Sequence, residues 1–150
     1  GIRECSDGPL LRAGSRATDD SVLAAQAMGA DMGYIGSAFI ATEEANAEDG
    51  YKQAIVDCGA DDIVYSSLIT GVHGNYLKPS IANAGLDPNN LPESDPTKMD
   101  FGSGGNTDAK AWKDIWGSGQ GIGAVKARQT AGEYIATLVE QYNAAKARIL

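Results

Sequence analysis

The chain has 150 residues, of which 43% are hydrophobic, and its 12 basic and 20 acidic residues give a net charge of −8. This length and composition predict one soluble globular domain rather than a disordered segment. The acidic balance argues against nucleic acid or an anionic membrane as a partner, and no apolar run reaches the roughly 20 residues of a membrane span.

The two cysteines, Cys5 and Cys58, lie far apart and lack the spacing of a metal site. Such thiols are typical of a reducing cytosol, and the first residues do not have the pattern of a signal peptide. We therefore predict a cytoplasmic protein. One histidine and two distant cysteines also predict no zinc site.

Two strand–turn–helix units are predicted near the start of the chain. Residues 1–8 have the pattern of the end of a helix, and residues 9–15 that of a strand with proline at its first position. Residues 21–28 predict a helix, and residues 34–37 a second short strand with its break. Because one helix joins the two strands, we expect them to be parallel neighbours whose ends meet at one edge of a sheet.

Each predicted strand ends in a glycine followed by a serine, Gly14-Ser15 and Gly36-Ser37. Glycine lets the backbone come close to a ligand, and outward amides with a serine hydroxyl can bind an anion. Two neighbouring turns of this kind form the phosphate site of many barrel enzymes. The alternative is that both glycines are ordinary turn residues.

Further helices and strands are predicted downstream. A helix follows Asn46 as its N-cap and ends at Gly59, because apolar residues recur there at helical spacing. Residues 62–70 predict a strand, and a short extended piece follows from Tyr76. The proline-rich and glycine-rich residues 85–108 predict a long surface excursion, either a lid or a small subdomain.

The end of the chain has a clear helix signal. A short helix is predicted over 108–115, and Thr130 with Glu133 forms a capping box before the last helix. The last helix has an apolar stripe that we expect to pack on the sheet. The stripe comprises Ile135, Leu138, Val139, Tyr142 and Ile149.

Three further features have more than one interpretation. Arg12 and Arg16 are unexpected in a strand buried on both faces, and Arg16 either pairs with a bound anion or faces solvent. His73 is the single histidine; it could act as a base or a ligand, but it has no evident acidic partner in the sequence. Residues 117–123 alternate glycine with other residues and follow a tryptophan rather than a strand, which argues against a dinucleotide fingerprint and leaves a flexible hinge as one interpretation.

Three segments carry a family resemblance: LRAGSRAT at 11–18, SVLAAQAMGAD at 21–31 and IGSAFIATEE at 35–44. Together they resemble the C-terminal half of a nitronate monooxygenase, a family formerly called 2-nitropropane dioxygenase that uses FMN. The likeness continues through YKQA at 51–54 and GQGIG at 119–123, so it covers nearly the whole chain. The chain is also similar, more distantly, to the FMN-dependent enoyl reductases of fatty acid synthesis.

The resemblance implies an α/β fold, namely the C-terminal part of a (β/α)8 TIM-type barrel with its last two strands, an appended small subdomain and a final amphipathic helix. Residues 1–60 and 117–150 would be the barrel portion, and residues 61–116 the appended subdomain or lid. A barrel of about 250 residues would need a missing N-terminal half, supplied by another part of the protein or by a homo-oligomer.

The resemblance also implies a function. Gly14, Ser15, Gly36 and Ser37 would hold the FMN 5′-phosphate, and the reaction would be the oxidation of alkyl nitronates, a small-molecule substrate, with molecular oxygen. The family's catalytic histidine lies upstream of this chain's first residue, so no catalytic residue is assigned here. Ser118 and Gln120 become candidates for a supporting role near the flavin.

Two alternatives to an FMN-dependent oxidation stay open from the sequence. One is a non-catalytic domain that binds a phosphorylated ligand or associates with itself. The other is an enoyl reductase-like enzyme. The family often has glutamine where Tyr34 stands.

Overall fold

The structure is a computed structural model that describes residues 4–5, 7–14, 18–93 and 114–149. Part of the predicted helix end at 1–8, most of the excursion at 85–108 and most of the helix at 108–115 lie outside these residues. The described elements, in chain order, are strand β1 (Leu11–Arg12), helix α1 (Asp19–Ala27), strand β2 (Met32–Gly33), helix α2 (Ser37–Ile40), helix α3 (Asp49–Asp57), a 3₁₀ turn (Ala60–Asp62), strands β3 (Ile63–Ser66) and β4 (Gly74–Leu77), helix α4 (Lys78–Asn83), a 3₁₀ turn (Gln120–Ala124) and helix α5 (Ala131–Ile149).

Strands β1 and β2 are parallel neighbours, which confirms the predicted pairing. Their register is set by the amides of Asp31 and Met32, which donate to the carbonyl of Leu10, and by the amide of Tyr34, which donates to the carbonyl of Arg12. The prediction of a strand at 34–35 was therefore wrong by two residues. Tyr34 donates the last hydrogen bond between the two strands, and Ile35 lies beyond it.

A glycine lets α1 pack closely on this pair. A Cβ built at Gly33 would lie 3.3 Å from Cγ2 of Val22 on α1. Any larger residue at position 33 would have to displace Val22 by a few tenths of an ångström, because the interior there is already tightly packed.

Helix α3 begins at Asp49 with Glu48 as its N-cap, two residues later than the predicted N-cap. The first backbone bond into the helix joins the amide of Lys52 to the carbonyl of Glu48. Asn46 therefore lies in the preceding loop. The inner face of α3 buries Ile55 completely, as the apolar spacing predicted.

Strands β3 and β4 form an antiparallel hairpin. The predicted strand at 62–70 is shorter than expected, because the amide of Leu68 donates to Oγ of Ser66 and turns the chain. Gly71 follows with a φ of +76°, which glycine adopts without strain. The extended piece predicted from Tyr76 coincides with the last two residues of β4, Tyr76 and Leu77.

Two hydrophobic clusters hold these elements together. The larger joins α2, α3, β4, the second 3₁₀ turn and α5; its buried members are Ala38, Ala41, Ala54, Ile55, Cys58, Leu77, Ile122, Val125 and Tyr134. The smaller has Ile69, Ile81 and Ile115 as its buried members, all within the predicted appended subdomain 61–116. The domain boundaries stay a prediction, since Leu77 of the same range belongs to the larger cluster.

Trp116 packs against the larger cluster and contacts the start of α3. Its ring stacks on Tyr51 with the centroids 5.3 Å apart, and its Nε1 donates to Oε1 of Glu48 over 3.0 Å. A Cβ at Gly50 would lie 3.1 Å from the indole, so glycine makes room for the ring on the first turn of α3.

The capping box at the start of α5 is confirmed. The amide of Thr130 donates to Oε2 of Glu133 over 2.8 Å, and the amide of Glu133 donates to Oγ1 of Thr130 over 3.2 Å. These bonds hold the pKa of Glu133 below its ordinary value. A second carboxylate, that of Glu44, accepts the amide of Ala131 over 2.8 Å, so the loop after α2 also caps α5.

The predicted packing of α5 was wrong. The helix lies mainly against α1, where the hydroxyl of Tyr142 donates to Oε1 of Gln26 over 2.6 Å. Tyr134 and Ala145 are its buried residues. Three members of the predicted stripe, Ile135, Val139 and Ile149, are instead 50%, 55% and 74% exposed. None of the described helices is both long and apolar enough to cross a membrane.

Candidate functional site

The ends of β1 and β2 bring the predicted phosphate residues to one edge. The strands are parallel and in register, so Gly14 and Gly36 both follow the carboxyl ends of neighbouring strands. We call the described residues Gly14, Gly36 and Ser37 the strand-end site. Ser15, the fourth residue predicted for it, lies outside the described residues.

Different physical reasons account for glycine at positions 14 and 36 of the site. Gly14 has a φ of +91°, a left-handed conformation that other residues adopt only with strain. Gly36 has a φ of −113° and a ψ of −66°, which other residues can adopt. A Cβ at Gly14 would meet nothing within 4 Å, and one at Gly36 would meet only Cε1 of Tyr34 at 4.0 Å. Neither packing nor backbone conformation therefore requires glycine at position 36. Close approach of a ligand to the backbone is a physical reason for glycine there.

Ser37 is fixed by the helix that it opens. In α2, Ala38 is buried and the ring of Phe39 meets that of Tyr134 edge-on, with the centroids 4.9 Å apart. The helix ends where Oγ1 of Thr42 donates to the carbonyl of Phe39 over 2.8 Å. Because α2 is attached to the larger cluster, Ser37 is half-buried and has a defined position at the edge.

The glycine-rich segment 117–123 lies against Ser37. The amide of Gly119 donates to Oγ of Ser37 over 2.8 Å. The amide of Ser118 donates to the carbonyl of Asn75 in β4 over 3.1 Å, and Ile122 is 1% exposed in the larger cluster. The segment is therefore held at both ends and is not a free hinge.

Ser118 and Gln120 were the candidates that the sequence suggested from this segment. The contact with Ser37 is instead made by Gly119, which lies between them. Ser118 is buried against β4 and Gln120 is exposed. No local pattern points to Gly119, because its partner lies 82 residues away in the chain.

The basic residues near the strands have separate positions. Arg12 is half-buried, and its Nη1 lies 2.8 Å from Sδ of Met28, so the guanidinium points toward the end of α1. Arg16 lies outside the described residues. The sequence alternatives for its role therefore stay open.

His73 lies in a different loop from the residues of the strand-end site. It is exposed in the loop between β3 and β4, where its ring stacks on that of Tyr65 at a centroid distance of 4.9 Å. Within the described part of the chain, no group of three or more histidine, cysteine or acidic residues could hold a metal ion.

A buried lysine that sequence reasoning did not single out stabilises the loop after α2. Lys52 is 6% exposed, and its Nζ donates to the carbonyl of Glu43 over 2.9 Å. The amide of Glu43 donates in turn to the carbonyl of Gln129 over 3.0 Å. This lysine therefore fixes the chain that leads from the strand-end site to α5. One feature of the sequence could have identified Lys52 as buried: it lies one residue after Tyr51 and close to the buried Ala54 and Ile55.

Two perturbed groups near the site are not activated for catalysis. Burial, followed by the charges of Asp62 and Asp57, raises the pKa of Cys58, so this thiol stays protonated at neutral pH. Burial also raises the pKa of Tyr51, whose hydroxyl donates to the carbonyl of Gly117. Both groups serve packing and loop placement.

Two sequence comparisons with known proteins point to the same family. The sequence profile described as nitronate monooxygenase matches residues 1–141. A nitronate monooxygenase from Paraburkholderia phytofirmans is 31% identical over 104 residues, which are 69% of this chain and 28% of that protein.

Solved structures extend the comparison to the fold. The nitroalkane oxidase from Streptomyces ansochromogenes matches with a TM-score of 0.71 and 26% identity, over 99% of this chain and 43% of that one. FabK from Thermotoga maritima matches with a TM-score of 0.68 and 16% identity, over 99% of this chain and 48% of that one. The chain thus spans less than half the length of these structures, and the α/β fold class is shared.

Proposed function

This chain belongs to the nitronate monooxygenase family, a family of enzymes, and on that premise we propose that it is part of an FMN-dependent enzyme that oxidises alkyl nitronates with molecular oxygen. We propose further that this chain supplies the binding site for the FMN phosphate. The cytoplasmic location also stays a prediction.

The observation that carries this proposal is the pairing of β1 with β2, which brings two glycine-containing turns to one edge. A Cβ at Gly14 would meet nothing within 4 Å and one at Gly36 only Cε1 of Tyr34 at 4.0 Å, so an anion can approach the backbone amides there. Ser37 adds a hydroxyl at the same edge, and Ser15 is expected to do the same from the sequence. The strand-end site therefore fits a phosphate group.

When bound, FMN supplies the electron-transfer chemistry, and the protein supplies binding, orientation and a base. The described residues support the first two roles. The thiol of Cys58 and the hydroxyl of Tyr51 have raised pKa values, and His73 belongs to a different loop, where its ring stacks on Tyr65. We therefore propose that the base belongs to another part of the protein.

The same proposal covers the barrel. We propose that β1 and β2 are the last two strands of a (β/α)8 barrel, and that the other six come from a missing N-terminal half or from a second copy of the chain. Support comes from Leu11 and Met32, each 49% exposed in strands of only two residues. A parallel pair is normally covered on both faces.

A flavin titration of the purified 150-residue chain tests the proposal. We expect absorption in the flavin bands after addition of FMN and removal of free ligand. Gly36→Val should abolish this binding, because its side chain would fill the space above the turn. Gly59→Val is the matched control, since Gly59 also has open space and an extended φ of −125°, and it should bind FMN as the wild type does.

The outcomes separate the proposal from its alternatives. Equal FMN affinity in the two valine variants would contradict the strand-end site. Binding of inorganic phosphate without binding of FMN would favour the non-catalytic phosphate-binding domain. The likeness to FabK is at 16% identity and shows the fold alone, so it does not favour a reductase.

A further inference from the structure

We infer that the backbone amide of Gly119 orients the hydroxyl of Ser37 as a hydrogen-bond donor toward the strand-end site. Gly119 is then a positioning residue, because it acts on a bound anion through Ser37. This inference rests on the phosphate site proposed above. It adds the group that makes the hydroxyl of Ser37 a hydrogen-bond donor to a bound anion.

The direction of the hydrogen bond carries the argument. A serine hydroxyl has one hydrogen to donate and two lone pairs to accept with. The amide of Gly119 can only donate, and at 2.8 Å it occupies one lone pair of Oγ in Ser37. The hydroxyl hydrogen must therefore point away from the amide. Among the described residues, no acceptor is found for that hydrogen, so it is available to an anion at the edge.

The donor is held rigidly on both sides. On one side the amide of Ser118 bonds to Asn75, and the amide of Leu77 donates to the carbonyl of Trp116 over 2.9 Å. On the other side Ile122 is 1% exposed in the larger cluster. Because these contacts fix the segment, the amide of Gly119 stays in one position and allows the hydroxyl few orientations.

An oriented donor matters for an anion. A hydroxyl that donated to a protein carbonyl would present lone pairs to a phosphate, which repel it. A hydroxyl that accepts from an amide presents its hydrogen, and the accepted bond also polarises the O–H group. Hydrogen bonds to charged acceptors are the stronger ones. Part of the strand-end site therefore depends on a segment that follows the predicted appended subdomain.

Two substitutions at one position test the role of the amide. Gly119 has a φ of −80° and a ψ of 150°, a conformation that proline adopts readily. Gly119→Pro removes the N–H, whereas Gly119→Ala keeps it. Both add a Cβ at the same place, 3.3 Å from Oγ of Ser37; proline also puts its Cδ where the amide hydrogen lay, so the difference between them reports the loss of the N–H together with the carbon that replaces it.

The readout is the ratio of the dissociation constants for riboflavin and FMN, measured by fluorescence titration of the full 150-residue chain. The two flavins differ by the phosphate, so the ratio isolates the phosphate contribution. We expect Ser37→Ala to lower this ratio about tenfold, the usual loss for one hydrogen bond to a charged group. Gly119→Pro should lower it by at least about threefold relative to Gly119→Ala. In the Ser37→Ala background, the proline and alanine variants should not differ.

Each result has a distinct meaning. If wild type binds riboflavin as tightly as FMN, or binds neither, the phosphate site and the inference both fail. If Ser37→Ala lowers the ratio but the proline and alanine variants of Gly119 are equal, the phosphate site stands and the inference alone fails. A proline effect of the same size with and without Ser37 would show that Gly119 acts by another route, and would also overturn it.

Discussion

Replacing Ile122 with alanine should destabilise the protein more than any change on its surface. Ile122 is 1% exposed, in the 3₁₀ turn that follows Gly119. The substitution removes three carbon groups worth about 0.8 kcal/mol each when buried, a transfer loss of about 2.4 kcal/mol. The cavity left behind raises the expected cost to about 3–4 kcal/mol in the free energy of unfolding.

Urea unfolding, followed by far-ultraviolet circular dichroism, measures this cost from the midpoint at a constant m-value. Ile149→Ala is the matched control, because Ile149 is 74% exposed and should change stability by no more than about 0.5 kcal/mol. A loss below about 1 kcal/mol for Ile122→Ala, with m unchanged, would refute the packing of the glycine-rich segment on the larger cluster.

Three further predictions concern the surrounding framework. Glu133→Gln removes a carboxylate whose pKa is lowered by bonds from Thr130. Its contribution is complete above about pH 4.3 and is lost as the pH falls through the lower pKa of the folded state, so wild type should lose more thermal stability on acidification than this variant; equal losses would contradict the reasoning. Gly33→Val should cost about 1–3 kcal/mol in urea unfolding, because Val22 already lies 3.3 Å from a built Cβ, and an unchanged midpoint would show that α1 shifts freely. Lys52→Met leaves the carbonyl of Glu43 without its charged donor, at a cost of about 1.5–3 kcal/mol by the same assay; a stable variant would mean that water replaces the ammonium.

Local signals predicted the features that depend on neighbouring residues. The capping box of α5 needs only Thr130 and Glu133, three positions apart, and it is present. The parallel pairing of β1 and β2 follows from the single helix between them. The start of α3 was wrong by two residues, because Asn46 is a good cap in any sequence and the choice of Glu48 depends on the surrounding loop.

The orientation of α5 and the partner of Ser37 could not be predicted locally. The last helix has apolar residues on two faces, and periodicity alone does not say which face meets α1. The structure buries the face with Tyr134 and Ala145. The contact between Ser37 and Gly119 joins residues 82 apart, and it depends on how β4 and the larger cluster place the segment.

The junction of α1 with α5 has a consequence for the rate of folding. Its hydrogen bonds join Tyr142 to Gln26, 116 residues apart, and Arg148 to Asp20, 128 residues apart. Forming it closes a loop of most of the chain, and contacts of such long sequence separation slow folding. The β3–β4 hairpin needs no such closure. We therefore expect the hairpin to form early and the docking of α5 on α1 to be the slow, final step.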